Sequence, residues 1–478
     1  MQLSLLLSAA IVVATTASIP IRLGVVLGAD NSTTPRHHFS RALTSDQEQW
    51  CALRAGEDAA ARLASSPGLY ALEMTLLYAG SDADSNASAA KVSSFIAASA
   101  ARGAGIVIGG YMSDRTLLLV KDTAATLGVM LLAPASGLPV IPPPRESVLR
   151  LWPADNYQAN VLSKLALKRA SAAVVLTAND AASMTLAKLF AQQFTAGGGT
   201  LAAPIASYNP PADPSRYELY THNTSTLFCR AVPRSNAHTF SFSFSFSFSL
   251  SLSLSSSGAY YAKVLKPLAD AVAASSSFGG VAFVMNVGNA DIAGLLDAMR
   301  ADYSWPIEKT SGVFLTDRAT PTRSVVANPD RALYAATLNL TGTLSSLAIH
   351  SNPVYASLAL RWRDAGFETS LFASACSLYD AIGIAVTASL ALGGGNTTRP
   401  QLHSKKEVSP LRAALLSTAR TWWGASGLMN IEAKSGDLYR ATYDVYGVVY
   451  EPDYKSAVWE VVGVPIDGKP STPNREAR

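Results

Sequence analysis

Charge is scarce in this chain. Only 15% of its 478 residues are Asp, Glu, Lys or Arg, 49% are apolar, and the formal net charge is +4. That balance excludes a globally disordered chain and leaves enough apolar surface for a sizeable core. No basic block with interleaved aromatics occurs, so the sequence offers nothing for nucleic acid. Cysteine is rarer still, with Cys51, Cys229 and Cys376 the only three. A dense disulfide framework is excluded; at most one intrachain bridge forms, and spacing leaves its pairing open. The six histidines are His37, His38, His222, His238, His350 and His403. None stands at metal-ligand spacing from Cys or an acid, and His-Glu-x-x-His is missing. A Gly-x-Ser-x-Gly elbow and a Walker A loop are missing too, and Trp423-Gly424-Ala425-Ser426-Gly427 resembles the first only superficially. The first apolar run ends Val26-Leu27-Gly28-Ala29-Asp30, which is not a dinucleotide fingerprint. No cofactor and no metal are expected, and the chain is not expected to be an enzyme. Asp180 and Asp317 are of the right type for a general acid and base, but nothing in the sequence brings them together.

Long apolar runs are also lacking. Leu3–Ala14 is too short to span a bilayer, and small residues follow it up to Ser18. Residues 1–18 read as a secretory signal, in preference to a buried strand or a membrane anchor, although the segment has no Lys or Arg before its apolar run. Ile382–Leu392 is apolar but reads as a buried helix. The mature chain is therefore expected to be secreted or at the cell surface, with no transmembrane helix. Asn-x-Ser/Thr triplets at Asn31, Asn86, Asn223, Asn339 and Asn396 fit such a location, with Asn31, Asn86, Asn339 and Asn396 the glycosylation candidates.

What is present is a rhythm. Ile21–Ala29 reads as a buried strand, Ser45–Leu63 as a helix, Ala71–Tyr78 as a strand and Ala87–Ala101 as a helix. Strands alternating with helices of this length mean βαβ units and a parallel sheet. After the Pro-rich segment 139–144 the pattern restarts. Helices are expected at Asn156–Leu167, Ala182–Thr195, Tyr260–Ala274 and Ala290–Met299. Strands are expected at Ala172–Leu176, Thr200–Ser207, Gly280–Asn286 and Gly312–Leu315. A helical block follows at Pro353–Ala365, Ser370–Ala391 and Ser409–Thr421. The chain ends in strands Gly427–Glu432, Tyr439–Tyr450 and Ala457–Gly463 and a polar tail, 467–478, expected to be disordered.

Residues 217–257 break the rhythm. Their centre, 240–257, reads FSFSFSFSFSLSLSLSSS, an alternation that as a strand would have one apolar face and invite aggregation. Phe, Ser and Leu share pyrimidine-rich codons, so the tract resembles a translated splice-acceptor region. The low-complexity insert is read as retained intron, a hypothesis that an uninterrupted translated message through this region would sink.

Two small-residue loops stand at the carboxyl ends of apolar runs in the stretch 105–137. Gly109-Gly110-Tyr111-Met112-Ser113 precedes a helix expected at Asp114–Leu127, and Ala133-Pro134-Ala135-Ser136-Gly137 follows the run Val129–Leu132. In an open parallel sheet such ends line the ligand crevice. Ser113 is placed as an N-cap whose hydroxyl and following amides can hold an anion. Asp317, in Thr316-Asp317-Arg318 after another apolar run, is a carboxylate that can pair with a ligand ammonium, unless Arg318 neutralises it. Asn286 and Asn289 flank Val287-Gly288 as capping residues or polar contacts.

In their order, these segments resemble the type I periplasmic binding protein superfamily, in its Leu/Ile/Val-binding and receptor ligand-binding-region branch. IRLGVVLGA (21–29) looks like the first strand; GIVIGGYMSDRT (105–116) and VMLLAPASG (129–137) look like the paired ligand loops. VVLTANDAASMT (174–185) is similar to the family's Asn-Asp-Ala-Tyr-Gly turn. VAFVMNVGNA (281–290) with GVFLTDRA (312–319), and the closing segment 422–449, complete the match over about 21–465. The resemblance implies an α/β fold of two doubly wound parallel-sheet lobes joined by three crossovers, closing on a small ligand. It implies an N-terminal lobe of 19–154 plus 345–424 and a C-terminal lobe of 155–344 plus 425–466. In amino-acid binders of the family, the first-lobe serine and the loop after proline hold the α-carboxylate. Those positions match Ser113, Ala135, Ser136 and Gly137. The second-lobe acid that takes the ammonium matches Asp317, and an aromatic contact falls near Asn289. Ala182 and Ser183 replace the aromatic and the glycine of the family's turn, and Gly137 stands where a threonine is usual. The expected ligand is amino-acid-like or an amide. A membrane receptor, a transporter or a second copy of the chain is the further partner the resemblance suggests. The alternatives are a degenerate scaffold that binds nothing and an enzyme built on the same lobes.

Overall fold

In this computed structural model the described residues are 19–27, 45–64, 70–78, 86–109, 114–210, 245–277, 279–301, 305–319, 323–346, 352–367, 373–393, 409–439, 441–454, 456–462 and 466–467. The signal segment, Ser113, Asn31, Asn396, Cys229 and the tail from 468 lie outside them. The chain folds as two units. One takes Met1–Arg36, Arg41–Tyr157 and Ser345–Thr442; the other takes His37–Ser40, Gln158–Leu344 and Tyr443–Arg478.

The first unit opens with β1 (Ile19–Leu27), α1 (Ser45–Ala64), β2 (Tyr70–Tyr78), α2 (Asn86–Ala101), β3 (Ile106–Gly109), α3 (Asp114–Leu127), β4 (Met130–Ala133) and β5 (Val148–Arg150). Helix α4 (Asp155–Leu167) leads into the second unit. There follow β6 (Ala172–Ala178), α5 (Ala181–Ala196), β7 (Thr200–Leu201), β8 (Ala206–Tyr208), α6 (Ser245–Ala274), β9 (Val281–Asn286), α7 (Asn289–Ala301), β10 (Thr310–Leu315), α8 (Arg323–Val326), α9 (Pro329–Thr337) and β11 (Thr341–Ser345). The chain returns to the first unit with α10 (Pro353–Asp364), α11 (Ala373–Ala391), α12 (Pro410–Thr421) and the hairpin β12 (Trp423–Gly424) and β13 (Gly427–Leu428). Strands β14 (Thr442–Glu451), β15 (Ser456–Val461) and β16 (Ile466–Asp467) close the second.

The first unit's sheet is parallel, in the order β2-β1-β3-β4-β5. Strands β3, β4 and β5 are buried on both faces, β1 from Leu23 onward is too, and the edge strand β2 is only partly buried; alternation assigns each residue to a side. Ile21, Leu23 and Val25 of β1 join one core with α1 and the helical block, including Ala55 of α1 and Ile382 of α11. Val26 of β1, Val107 of β3 and Leu131 of β4 join a second core under Val92 and Ile96 of α2 and Leu117 of α3. Gly24 is where α2 comes closest: a Cβ there would meet the Phe95 ring at 2.9 Å and Ser99 Oγ at 3.0 Å. Helix α11 is long and apolar enough to cross a membrane by length and composition, yet 89% of its most apolar window is buried inside the protein. It is a core helix, packed on α1.

The second sheet runs β15-β14-β11-β10-β9-β6-β7, with β8 on β6 and β16 on β14. Strands β6 to β11 pair in parallel, and β15 is antiparallel to β14. The strand expected over Thr200–Ser207 is split into β7 and β8 because Pro204, which has no N–H to donate, lies between them. The FSFS tract is not a strand where it is described: α6 begins at Ser245. An established helix extends at the gain of one hydrogen bond per residue, which here overrides a period-two pattern. Helices α8 and α9 and strand β11 were not expected from sequence. The return to the second unit comes at Tyr443, not at 425, because the β12–β13 hairpin is held inside the first unit. Asn352 Nδ2 donates to Gly424 O at 2.9 Å and to Ala425 O at 3.1 Å, and Asp380 accepts from Ala425 N at 2.8 Å and Ser426 N at 2.7 Å.

Candidate ligand-binding site

Strand order identifies where each sheet can bind. In the first unit the path goes from β1 outward to β2, then reverses to β3, so the switch point lies between β1 and β3. In the second, β6 leads outward to β7 and β8, and the chain returns to β9 on its other side. At such a reversal the two following loops turn away from each other and leave a crevice beyond the strands' carboxyl ends.

At the carboxyl end of β4 the loop 134–138 is tightly held. Ser136 Oγ donates to Asp114 Oδ1 at 2.7 Å and Gly137 N donates to the same oxygen at 3.1 Å. Gly137 O accepts from Asp155 N at 2.8 Å, which ties the loop to the start of α4. Leu138 O accepts from Arg150 Nη1, and the buried Arg150 guanidinium also pairs with Asp437 at 2.8 Å. Ser136 is fully buried and Ala135 half-buried. Thus two of the expected ligand contacts, the Ser136 hydroxyl and the Gly137 amide, hold an internal carboxylate. The amides of Ala135 and Ser136 meet no acceptor among the described residues.

The second unit builds a polar junction at its switch point. Asn286, at the end of β9 and 1% exposed, is its hub. Its Nδ2 donates to Ser183 O at 2.7 Å and to Thr177 Oγ1 of β6 at 3.2 Å, and its Oδ1 accepts from Thr316 Oγ1 at 3.0 Å. Asp180 caps α5, accepting from Ser183 N at 2.8 Å and from the Ser183 hydroxyl. Arg318 donates to that hydroxyl and reaches both Asp180 oxygens at 3.5 Å. The structure therefore joins Asp180 to Arg318, beside Asp317, and an Asp180–Asp317 acid–base couple is not what the hydrogen bonds build. Asp317 itself is 2% exposed. Asn289 opens α7; its side chain lies outside the described residues.

Next to Asn289, buried Asp291 accepts from Tyr208 Oη at 2.8 Å and Tyr261 Oη at 2.6 Å. Burial, reinforced by the Asp291 carboxylate, holds the Tyr208 phenol well above its ordinary value, so it stays a donor. Sequence reasoning missed this group and the Asn286 junction. One signal was available: Asp180 three residues before Ser183, the spacing of an N-cap whose side chain accepts from the first turn.

Among the described residues no group of three or more His, Cys, Asp or Glu could hold a metal ion. Cys51 and Cys376 are buried free thiols. Of the glycosylation candidates, Asn86 and Asn339 are described, and both are exposed.

No protein-family model matches the sequence, and no curated protein matches it. Solved structures do match in fold. A leucine binding protein, LivK, from Thermotoga maritima has 17% identity and a TM-score of 0.54, covering 94% of this chain and 99% of its own. A solute binding protein of an ABC transporter from Rhodopseudomonas palustris, in complex with 3,4-dihydroxybenzoic acid, has 14% identity and a TM-score of 0.60, covering 94% and 98%. The branched-chain amino acid transporter substrate binding protein LivJ from Streptococcus pneumoniae, in complex with isoleucine, has 12% identity and a TM-score of 0.55, covering 93% and 99%. The chain has the type I periplasmic binding protein fold.

Proposed function

We propose that this protein is a non-enzymatic binding protein for a small molecule of the amino-acid or amide class. The observation that carries the reading is the placement of polar groups at the carboxyl edges of both sheets, in a fold shared along nearly the whole chain with solute-binding proteins. In the first unit the ligand meets Ser113, Ala135 and the neighbouring Ser136-Gly137 segment. In the second it meets Asp317 and Asn289. The Asn286 junction, with the Arg318–Asp180 pair beside it, orders the loops that carry them. Closure of the two units on the ligand, which turns differential affinity into a conformational signal, is what the resemblance adds. The same reading makes the protein secreted or cell-surface and glycosylated at Asn86 and Asn339. Its partner is a transporter or receptor in the membrane, and it can pair with a second copy of itself.

A thermal-shift screen of the purified protein against amino acids and amides tests this. A stabilising compound whose effect is lost in Ser113→Ala and Asp317→Ala supports the reading. Absence of any stabilising compound refutes it in favour of a scaffold, and turnover of a bound compound refutes it in favour of an enzyme.

A further inference from the structure

We propose that β15 is a docking edge for a second copy of this chain, the two β15 strands pairing antiparallel about a two-fold axis at Val458. The proposal gives a surface to the self-pairing put forward above and does not depend on the ligand. Strand β15 is the outermost strand of the second unit's sheet. It reads Ser-Ala-Val-Trp-Glu-Val over Ser456–Val461, with no proline or lysine and with Glu460 its only charge. Soluble proteins protect their outer strands with charges, prolines, bulges or a covering element. Here Val458 is 46% and Val461 37% exposed. An apolar outer strand of this kind is a template for pairing with another chain.

The ladder with β14 fixes which groups face outward. Val458 lies opposite Val449, and Val462 N donates to Val445 O at 2.8 Å. Hydrogen-bonded pairs recur at every second residue of an antiparallel ladder, so Ser456, Val458 and Glu460 bond toward β14. The backbone groups of Ala457, Trp459 and Val461 therefore point away from it. Side chains alternate as well: Ser456, Val458 and Glu460 share one face, and Ala457 and Trp459 pack on the unit's core from the other. A two-fold axis normal to the sheet keeps each face on its own side, so it passes through a residue. About Val458 the strand is its own complement. Val458 meets the partner's Val458 as a close, non-hydrogen-bonded pair. Trp459 lies against the partner's Ala457, large against small, and on each side of the axis these two residues exchange both hydrogen bonds of an antiparallel pair. Glu460 lies against the partner's Ser456, a carboxylate opposite a hydroxyl donor. Moving the axis to Trp459 would set Glu460 against the partner's Val458 and bring two carboxylates onto a diagonal, which disfavours that register. A strip of 6 residues falls below the roughly 1,200 Å² of a standard interface, so the dimer is weak and reversible.

Sedimentation velocity of the whole protein over a rising concentration series is expected to show a reversible monomer–dimer equilibrium. Val458→Lys, at an exposed position, sets two ammonium groups face to face across the axis and is expected to weaken the dimer about tenfold or more. Cross-linking in a Cys229→Ser background tests the register. Val458→Cys places the two Cα atoms about 4.5 Å apart, within disulfide reach, and oxidised glutathione is expected to give a covalent dimer. The two thiols give up two electrons and two protons to the glutathione disulfide, which leaves as two thiols. Val461→Cys stands away from the axis and is expected to stay uncrosslinked under the same treatment. A protein that is monomeric at every concentration overturns both the self-pairing and this surface. A dimer undiminished in Val458→Lys keeps the self-pairing and overturns this surface, as does a Val458→Cys variant that cross-links no better than Val461→Cys. Should Val458→Lys not fold, the cross-linking comparison decides. None of these measurements uses a ligand, so an empty ligand screen leaves the proposal standing.

Discussion

Replacing Asn286 by Ala removes three hydrogen bonds from a position that is 1% exposed. Thr177 keeps a second bond, from its Oγ1 to Ala178 O at 3.3 Å. The Ser183 carbonyl and the Thr316 hydroxyl lose the bonds that Asn286 provides, although the carbonyl keeps its bond along α5 and Thr316 keeps a further contact. Each hydrogen bond contributes about 0.5–1.5 kcal/mol net. Three of them set a loss of about 1.5–4.5 kcal/mol. A net loss of about 3 kcal/mol follows, which for a unit of this size lowers the unfolding midpoint by about 6–12 °C. Calorimetry on the whole protein is the assay, because two units unfold with separable transitions when they are not fully coupled. The transition of the second unit should fall while the other holds. Thr177→Val, which removes the 3.2 Å bond from Asn286 and the 3.3 Å bond to Ala178 O, should cost about 1–3 kcal/mol. An Asn286→Ala midpoint within about a degree of wild type would refute the reasoning. It would mean that the β6–β9 junction is held by apolar packing alone.

Two further outcomes concern the first unit. Full burial pushes the Asp380 carboxyl up to about 6, against the opposing hydrogen bonds from Ser426, Ala425 and Trp422. Its folded pKa exceeds its unfolded one, so the stability it contributes is full below about 4 and is lost as pH rises through about 6. That loss is on the order of 2–3 kcal/mol, and melting curves from pH 4 to 7 should show a slope that Asp380→Asn flattens; equal slopes would refute the linkage. Burial, followed by neighbouring negative charge, raises both the Cys51 and the Cys376 thiol. Peptide mapping after alkylation of the native protein at pH 8 should find both unmodified and after denaturation both modified; native labelling of either refutes their inertness.

The parallel α/β character was legible because strands buried on both faces read as continuous apolar runs, such as Val174-Val175-Leu176, between helices of matching length. Helices α8 and α9 and strand β11 escaped notice for the opposite reason. Arg323–Val326 is a single turn, and Thr341-Gly342-Thr343-Leu344-Ser345 carries one large apolar residue. The available cue was Asn328-Pro329, an N-cap before a proline in the first turn, which the structure uses: Asn328 Oδ1 accepts from Arg331 N at 3.1 Å. The 134–137 loop was legible as a place where a ligand approaches, since its small residues follow a buried strand. That Asp114 already sits on its donors was not, because Asp114 Oδ1 and Ser136 Oγ are brought to 2.7 Å by the pairing of β3 with β4.

Local pattern and composition by themselves determined the parallel α/β character, most of the element order and the lack of metal and nucleotide motifs in the sequence. They could do so because burial on a strand or helix is a periodic, nearest-neighbour property. Only the tertiary structure decided which polar groups face one another across sheet neighbours far apart in the chain. It set Asn286 against Thr177 and Ser183, turned Arg318 toward Asp180, and placed an aspartate over the loop where a ligand carboxylate was expected. Hydrogen bonds are short and directional, so a one-residue change of register would undo each of them while leaving the apolar pattern almost as it is.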